Sequence, residues 1–417
     1  MLYNVGMTHV ASCRLCATPK LTSVLDLGMS PISGHFPKLN EETLSLPLNL
    51  ARCSSCGLVQ LNNILPISEL YSETYGYESH LNSSMQKHLF NKARALQDIF
   101  YSRSQNKKGV FLDIASNDGT LLSGYLQNTS KETLVGIDPL IPNFNNCYPE
   151  GTIKIQNYFS AGVYKKVINL KADIVTSVSV FYDLDNPLGF ARDILEILSE
   201  DGIWHLEQSY CISMVEKTSF DTICHEHLLY LRAHDFLYIF DEVGFTVISA
   251  ELNEINGGSI AITVEKAKGG QHCKNFIDLI EYEVNEGYCE LNVYIEFAKK
   301  VKHYRNKMQR IIQQYRSDGY KIVGLGASTK GNIILNYCGL NNSIVNVIGE
   351  VNSKKFGRMT PGTKIPIVDE KIILNSKEKM LALILPWHFR ETFLNSTIMF
   401  RKNGNLILFP IPDIEII

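Results

Sequence analysis

Residues 111–120, with the sequence FLDIASNDGT, decide the fold of the central part of this chain of 417 residues. The pattern predicts a buried strand over residues 109–114, then a turn of small residues, then a helix from about Thr120. Small residues let a ligand lie against the backbone, and the N-terminus of a helix favours anionic groups. The stretch therefore predicts a strand–turn–helix unit suited to a nucleotide-like ligand.

The next strand carries a second signal for the same site. Residues 135–138 read VGID, and Asp138 at their end is placed to accept hydrogen bonds from ribose hydroxyl groups. The turn between Asp113 and Gly119 lacks the GxGxxG spacing of nicotinamide dinucleotide sites. We therefore predict S-adenosylmethionine as the ligand. The residues alone leave two alternatives, another nucleotide or an ordinary strand–turn–helix with no ligand.

Outward from this unit, strands and helices alternate through two blocks of the chain. The central block has further strands predicted at 134–138, 173–180 and 203–207, with a helix at 188–198. The C-terminal block has strands predicted at 259–264, 321–325, 344–349, 380–385 and 405–409, and a long helical region at 275–316. Strands separated by helices imply right-handed crossovers and parallel sheets. The predicted fold class is therefore α/β.

Two cysteine pairs mark a separate N-terminal block. Cys13 with Cys16, and Cys53 with Cys56, form two CxxC knuckles, which match the ligands of a tetrahedral zinc site. The gap of 36 residues between the pairs is allowed, because the entropy of loop closure grows slowly with length. A closed four-sulfur site leaves no position open for a substrate. We expect one structural zinc per chain; chance cysteines in a small domain are the alternative.

A cluster of imidazole and carboxylate groups follows the strand predicted at 203–207. Residues 220–227 read FDTICHEH, and such a cluster suits proton transfer near neutral pH. The spacing HEH is not HExxH, so zinc ligation from a helix is not indicated. A hydrogen-bonded structural cluster is the alternative that the residues leave open.

Composition and charge exclude several classes of function. The net charge is −3 and the sequence pI about 6.4, whereas nucleic-acid binding calls for a basic excess. Apolar runs are far shorter than the roughly 20 residues of a membrane span. The N-terminal residues lack the basic and apolar regions of a signal peptide. We expect a cytoplasmic enzyme with no nucleic acid, membrane or obligate protein partner.

Taken together, the motifs resemble a known family. The zinc knuckles are followed by SNDGTLL (116–122), FDTICHEH (220–227), NGGS (256–259), GASTKGN (326–332), TPGTKIPI (360–367) and LPWHFR (385–390). In this order they resemble the sugar C-methyltransferases that act on nucleotide-linked ketodeoxysugars, such as the mycarose-type 3-C-methyltransferases. The resemblance covers essentially the whole chain. It implies a zinc-binding domain at 1–72, a Rossmann-like S-adenosylmethionine methyltransferase domain at 73–252 and a C-terminal Rossmann-like sugar-nucleotide-binding domain at 253–417.

The resemblance also implies a reaction. The C4 ketone of an NDP-4-keto-6-deoxyhexose acidifies the proton on C3, a base removes that proton, and the enolate takes the methyl group of S-adenosylmethionine. The resemblance to this family implies dTDP as the nucleotide of the substrate, with GDP and CDP left open. O-methylation of a sugar nucleotide is the alternative reaction. A zinc-ribbon binding module without catalysis is the alternative class of protein.

The site residues fall into three predicted groups. For the methyl donor they are Asp113, Ala115, Asn117, Asp118, Gly119, Asp138, Pro139, Asn157 and Tyr158. For the sugar nucleotide they are Tyr75, Tyr77, Ser328, Lys330, Asn332, Lys355 and Arg358. For the chemistry they are His227, Glu226, His225, Asp183, Cys224 and Tyr77. Trp387 and His388 either cap the nucleotide or pack in the core, and Lys355 and Arg358 either bind phosphate or belong to a basic surface loop.

Two of these positions depart from the family pattern. Cys224 stands where many relatives have tyrosine, and Asp183 stands where many have histidine. Both changes concentrate the role of base on His227, with Glu226 or His225 in support. In an extended chain His225 and His227 share one face and Glu226 points away. This favours Glu226 as an orienting partner rather than as the base, unless the segment is a tight turn.

Overall fold

The computed structural model describes residues 8–65, 70, 77–103, 108–125, 132–267 and 269–417. The strands in chain order are β1 (Thr8–His9), β2 (Leu21–Pro31), β3 (Ser45–Cys53), β4 (Val59–Leu61), β5 (Asn63–Ile64), β6 (Val110–Ile114), β7 (Thr133–Ile137), β8 (Ile153–Ile155), β9 (Ala172–Val178), β10 (Leu198–Ser209), β11 (Leu229–Tyr230), β12 (Phe245–Asn253), β13 (Ser259–Lys266), β14 (Lys321–Leu325), β15 (Ile348–Glu350), β16 (Ile367–Asp369), β17 (Met380–Ile384), β18 (Leu406–Phe409) and β19 (Glu415–Ile416).

The α-helices in chain order are α1 (Ser83–Arg103), α2 (Thr120–Tyr125), α3 (Ile141–Phe144), α4 (Ala161–Val167), α5 (Pro187–Ile197), α6 (Cys211–Glu216), α7 (Ala233–Val243), α8 (Lys274–Asn285), α9 (Leu291–Ser317), α10 (Thr329–Tyr337), α11 (Glu370–Leu374), α12 (Arg390–Ser396) and α13 (Ile398–Lys402). Short 3-10 turns lie at Ser79–Leu81, Phe181–Asp183, Phe220–Thr222, Ile255–Gly257, Ser353–Lys355 and Trp387–Phe389. Within the described ranges, no helix is long and apolar enough to cross a membrane.

The central sheet carries the predicted strand–turn–helix unit. Its seven strands have the order β12-β13-β10-β9-β6-β7-β8, and the five from β10 to β8 run parallel. The fold class predicted from the alternating strands and helices is confirmed. The carboxyl ends of β9, β6, β7 and β8 lie along one edge, which is where open α/β sheets bind their ligands.

The strand predicted at 259–264 does not open the C-terminal sheet. It is β13, which lies inside the central sheet between β10 and β12 and is antiparallel to both. The chain reverses at Ile255–Gly257, where Asn256 and Gly257 both have positive φ, 54° and 91°. β13 therefore folds back beside β12 as a hairpin. Alternation of strands and helices does not by itself reveal such a reversal, although residues 256–258 read NGG, a pattern typical of hairpin turns.

The N-terminal sheet includes a strand from the central part of the chain. Its order is β11-β4-β3-β2, all antiparallel, and β11 pairs with β4 so that Leu229 lies opposite Gln60. A separate ladder joins β1 to β5. Because β11 begins two residues after His227, the HEH segment is directly connected to the cysteine-bearing sheet.

The C-terminal sheet is again mostly parallel. Its order is β16-β15-β14-β17-β18-β19, and β19 alone is antiparallel to its neighbour. The helical region predicted at 275–316 is two helices, α8 and α9, with Gly287 at a φ of 75° between them. One apolar cluster runs through all three sheets, and Leu50, Trp204 and Leu383 are each almost completely buried in it. The three sheets therefore pack as one body around the site.

Candidate active site and metal centre

The four cysteines of the knuckles come together where β2 begins and β3 ends. Their Sγ atoms all lie within 4.8 Å of one another. Cys13 Sγ is 3.5 Å from Cys56 Sγ, and Cys16 Sγ is 3.5 Å from Cys53 Sγ. Four sulfurs this close suit a single tetrahedral zinc ion, whose Zn–S bonds are about 2.3 Å long.

Backbone amides prepare the knuckles to carry negative charge. Cys13 Sγ accepts hydrogen bonds from the N–H groups of Leu15 and Cys16, at 3.4 and 3.5 Å. Cys53 Sγ likewise accepts from Ser55 and Cys56, at 3.3 and 3.5 Å. The hydrogen bond from Cys56, together with these amides, lowers the pKa of Cys13 to about 5 against the opposing effect of burial. The donor set fits a thiolate-bound structural zinc.

The turn after β6 has the strained backbone of a ligand-binding loop. Ala115, Asn117 and Gly119 all have positive φ, 56°, 48° and 75°. A Cβ atom on Gly119 would come within 2.8 Å of the Tyr148 ring, so the position has room only for glycine. Strain of this kind is concentrated at functional sites. The positive φ angles and the close contact between Gly119 and the Tyr148 ring together fix the backbone conformation of the turn.

Asp138 fixes the position of this turn relative to the next strand. Its carboxylate accepts a hydrogen bond from the Asn117 N–H at 2.9 Å and another from the Leu140 N–H at 2.6 Å. Burial raises the pKa of Asp138, while the two backbone hydrogen bonds lower it. Pro139 beside it is half-buried, and the exposed Asn157 and Tyr158 follow β8 at the same edge. These positions agree with the predicted donor site. Which of these residues contact the methyl donor stays a prediction.

Two other predicted donor residues are already engaged inside the protein. Asp113 lies under the turn, where its carboxylate accepts from Thr176 Oγ1 at 2.6 Å, and burial raises its pKa to about 7. Asp118 accepts from the N–H and Nδ1 of His80, at 2.9 and 2.8 Å, and from Thr120 Oγ1 at 2.6 Å. Both carboxylates therefore stabilise the conformation of the turn through hydrogen bonds inside the protein.

Tyr148 and His80 are site residues that sequence reasoning missed. The Tyr148 hydroxyl donates to the Asn117 carbonyl at 2.7 Å and lies 2.8 Å from Ser116 Oγ, which supports the turn from behind. His80 brings the segment before α1 onto Asp118, and Asn117 Nδ2 donates to the Tyr77 carbonyl at 3.1 Å. Neither residue lies in a motif, so no spacing could have identified it. Tyr75, predicted beside Tyr77, falls outside the described residues.

The HEH segment is a tight turn rather than an extended strand. The His227 N–H donates to the Cys224 carbonyl at 3.2 Å, so His225 and Glu226 occupy the tip of the turn. The shared face expected for an extended chain therefore does not apply, and the tight turn that the sequence left open is the conformation present. Glu226 accepts from the Gly34 N–H at 3.2 Å and from Ser33 Oγ at 3.4 Å, and His225 is buried beside the Leu46 and Pro47 carbonyls. Both side chains are directed toward the N-terminal sheet.

His227 is oriented differently from its two neighbours. Its Nδ1 lies 2.7 Å from the Thr222 carbonyl, and because a carbonyl only accepts, Nδ1 carries the proton. Nε2 is then the basic nitrogen, and no described residue forms a hydrogen bond with it. The ring packs against Tyr182, with 4.1 Å between the centroids. Burial, with a smaller effect from the Lys330 charge, lowers the pKa of His227 to about 4 despite the Thr222 carbonyl.

The remaining candidates for chemistry lie around the same turn. Asp183 is half-buried in the turn Phe181–Asp183, close enough to raise the pKa of Cys224. Burial is the main cause that keeps the pKa of the Cys224 thiol well above its usual value, with the Glu226 charge second. The thiol is therefore neutral near pH 7 and a poor nucleophile.

A buried aromatic residue connects the C-terminal part to this turn. Trp387 Nε1 donates to Asp221 Oδ2 at 2.7 Å, and Trp387 is only 6% exposed. Its ring lies on the backbone of Gly257, where a Cβ would come within 2.7 Å of the indole. Of the two roles left open by the sequence, Trp387 therefore has the packing role. Lys330 reaches the same region and donates to the Asn256 carbonyl.

The other predicted sugar-nucleotide residues are distributed around the loop 326–332. Ser328 Oγ accepts from the Gly331 N–H at 3.0 Å, as the N-cap of α10. Asn332 is buried and donates to the Ser33 carbonyl at 2.8 Å. Lys355 Nζ donates to the Ala327 carbonyl at 2.8 Å, and Arg358 donates to the Phe36 carbonyl at 3.0 Å. Lys355 thus supports the loop directly, whereas Arg358 contacts the N-terminal part.

Comparison with known proteins assigns a family to each part of the chain. Residues 13–71 match the family model "Putative zinc binding domain", residues 85–250 the "Methyltransferase domain" and residues 254–412 the "C-methyltransferase C-terminal domain". The chain is therefore a methyltransferase with a zinc-binding N-terminal part. More narrowly, the match at 254–412 to the C-terminal domain of C-methyltransferases supports an S-adenosylmethionine-dependent C-methyltransferase, in line with its motifs.

One curated relative matches along its whole length. The C-methyltransferase NovU of Streptomyces niveus is 24% identical over 416 residues, which span 98% of this chain and 97% of that protein. Among solved structures, the plantazolicin methyltransferase BpumL in complex with SAH gives a TM-score of 0.35 at 14% identity, over 43% of this chain and 85% of that one. The plantazolicin methyltransferase BamL gives 0.35 at 14% identity, over 49% and 80%.

Loss of one knuckle cysteine should remove the metal and destabilise the protein. We expect the wild type to contain about one zinc per chain, and Cys13→Ser to lose it and to melt at a lower temperature, because structural zinc contributes directly to folding. Metal analysis by mass spectrometry and thermal melting measure both. The exposed Cys147, changed to serine, is the matched control and should keep the metal. Wild-type protein purified without zinc would contradict the assignment.

Loss of the Asp138 carboxylate should weaken binding of the methyl donor. We expect Asp138→Ala to reduce the affinity for S-adenosylhomocysteine by about 1 to 3 kcal/mol, the usual effect of leaving polar partners unpaired. Titration calorimetry measures it. Asp173→Ala is the control, since Asp173 also accepts a backbone N–H, from Val110 at 3.0 Å, but lies at the opposite edge of the sheet. Equal affinities in the two variants would argue against this position for the ribose.

Proposed function

We propose that this enzyme removes the C3 proton of an NDP-4-keto-6-deoxyhexose and methylates the enolate, which gives a 3-C-methyl branched sugar nucleotide. The observation that carries the proposal is the orientation of His227, whose Nδ1–H is held by the Thr222 carbonyl so that Nε2 presents a lone pair. Methylation at carbon needs such a base, because a C–H bond is not itself a nucleophile. The sugar nucleotide is supported by the motifs shared with that family.

The reaction balances with the groups named. His227 Nε2 takes the proton from C3, and the electron pair of the C3–H bond forms the C3–C4 double bond while the C4 oxygen becomes negative. S-adenosylmethionine supplies the methyl group on a positively charged sulfur. C3 then forms a bond to that methyl carbon, the S–C bond breaks with its pair on sulfur, and the C4 ketone is restored. His227 finally releases its proton to water.

His225 and Glu226 act as positioning residues in this proposal. Glu226 holds the turn through Ser33 and Gly34, and His225 is buried against the same N-terminal sheet. Both side chains are thus directed to the N-terminal part of the chain. They therefore determine where His227 stands rather than moving the proton themselves.

The sugar nucleotide is proposed to lie between the donor turn and the loop 326–332. Tyr77 contacts the donor turn through its carbonyl, and Lys355 supports the loop at Ala327. Ser328, Asn332 and Arg358 complete the proposed contacts, with dTDP as the expected nucleotide. In this arrangement the chain divides at residues 72 and 252 into zinc-binding, methyl-donor and sugar-nucleotide parts, although β13 extends the middle sheet past the second boundary.

The product distinguishes this reaction from its closest alternative. We expect the purified protein with S-adenosylmethionine to add one methyl group to a dTDP-4-keto-6-deoxyhexose, detected by mass spectrometry across a panel that includes GDP and CDP sugars. Carbon NMR of the product should show a new quaternary carbon at C3. A methoxy signal would instead establish O-methylation, and no product from any sugar of the panel would reject the sugar-nucleotide proposal.

Removal of the proposed base should stop enolate formation without preventing binding. We expect His227→Asn to lose about 10²- to 10⁴-fold in rate, the usual contribution of a general base, and to stop exchanging the C3 proton in deuterated water. Binding of S-adenosylhomocysteine should be retained. His303→Asn, on an exposed face of α9, is the control. Wild-type exchange in His227→Asn, with exchange lost in His225→Asn or Glu226→Gln, would move the base to one of those residues.

A further inference from the structure

We propose that Lys330 is the group that stabilises the enolate, by donating to the C4 oxygen as it becomes negative. The assignment rests on the proposed function, because it concerns the same proton abstraction. The position of Lys330 in a loop of small residues suggests a different role, which is to contact the pyrophosphate.

The first observation that supports this proposal is the position of the Lys330 ammonium group. Lys330 is the second residue of α10, next to the C-terminal sheet, but its ammonium donates to the carbonyl of Asn256 in the turn before β13, a strand of the central sheet. That turn is held to the carboxyl end of β9 by Asn256 Nδ2, which donates to Ser179 Oγ at 3.4 Å. Ser179 precedes the Phe181–Asp183 turn that packs on His227. The ammonium therefore lies among the segments that surround the base.

The second support is that the hydrogen-bonding capacity of Lys330 is mostly unused. An ammonium has three N–H donors, and Asn256 is its one acceptor among the described residues. The side chain is half-buried, so bulk water does not fully solvate the other two donors. A partly desolvated cation with spare donors is well suited to an oxygen that gains charge during a reaction.

The third support is the charge around Lys330. Within the described part of the chain no carboxylate lies within 4.0 Å of its Nζ, so its charge is not cancelled by a direct ion pair. Burial lowers the pKa of Lys330, and the charge of the nearby Asp221 opposes this effect. Asp221 is fully buried and its Oδ2 accepts a hydrogen bond from Trp387, so it favours the charged form of Lys330 without forming a hydrogen bond to it.

Lys330 also acts electrostatically on His227, the proposed base. Its charge contributes to lowering the pKa of both His227 and His388, so it lies within electrostatic reach of the two rings. An imidazole with a lowered pKa is a weak base, and a weak base removes a carbon-bound proton only if the enolate is stabilised at the same time. A cation within electrostatic reach of His227 serves both ends of this transfer: it adds to the effect of burial that keeps the imidazole neutral, and it pairs with the negative oxygen.

The test separates enolate stabilisation from phosphate binding. The variant is Lys330→Met, and the measurement is exchange of the C3 proton of a dTDP-4-keto-6-deoxyhexose in deuterated water, as a function of sugar concentration and without S-adenosylmethionine. We expect the exchange rate at saturation to fall about 10²- to 10³-fold, the usual effect of losing one oxyanion donor. The half-saturating sugar concentration should change little. Lys330→Arg should recover part of the rate, because it restores the charge.

Two further lysines provide matched controls. Lys355→Met removes the lysine that supports the same loop at Ala327, and we expect it to raise the half-saturating concentration rather than to lower the saturated rate. Lys321→Met removes a partly exposed lysine paired with Glu378 at the start of β14, and should change neither quantity. Binding of S-adenosylhomocysteine and the melting temperature confirm that each variant is folded.

The exchange measurements distinguish failure of the Lys330 assignment from failure of the proposed function. If Lys330→Met exchanges at the wild-type rate at saturation but needs much more sugar, Lys330 binds the nucleotide and the assignment is wrong while the proposed function stands. If the wild type exchanges no C3 proton of any 4-keto sugar, the proposed function fails and the assignment fails with it. A slow saturated rate that Lys330→Arg partly restores supports both.

Discussion

The hydrogen bonds at Ser33 and Gly34 are the constraint on which the rest of the site depends. Glu226 accepts from both residues, and the Ser33 carbonyl accepts from Asn332 at 2.8 Å. Ser33, Glu226 and Asn332 are all almost fully buried, and buried polar groups are costly to leave unpaired. One short segment of the N-terminal part therefore sets the positions of the HEH turn and of the helix that begins beside Lys330.

The zinc knuckles act on the chemistry through this same framework. Arg14, between Cys13 and Cys16, donates to Asp185 at 2.9 Å, and Arg232, after β11, donates to the Cys56 carbonyl at 3.2 Å. The two knuckles are thereby tied to segments on either side of the HEH turn. A metal with a closed ligand set can thus stabilise the segments that flank the HEH turn.

Much of this arrangement was readable from the sequence, and the failures have physical causes. The cysteine tetrad and the strand–turn–helix at 111–120 were predicted because each depends on residues of one type at fixed local spacing. The placement of β13 was missed, because alternation of strands and helices does not show that this strand folds back at Asn256. The HEH turn was left open as an alternative to an extended segment, because it depends on the hydrogen bond from the His227 N–H to the Cys224 carbonyl. Tyr148 and His80 were missed because they reach the donor turn through tertiary packing. The role of Trp387 was left open, because its packing depends on tertiary contacts with Asp221 and Gly257 that no sequence spacing shows.

The β11 strand has a consequence for how such a chain can vary in evolution. Leu229 and Tyr230 form the edge of the N-terminal sheet, although Leu229 follows Leu61, the last residue of the rest of that sheet, by 168 residues along the chain. A recombination event at the sequence boundary near residue 72 would bring together a sheet and an edge strand that had not evolved side by side. The N-terminal and central parts are therefore expected to be inherited as a unit, with new substrate preferences arising more readily by exchange of the C-terminal part.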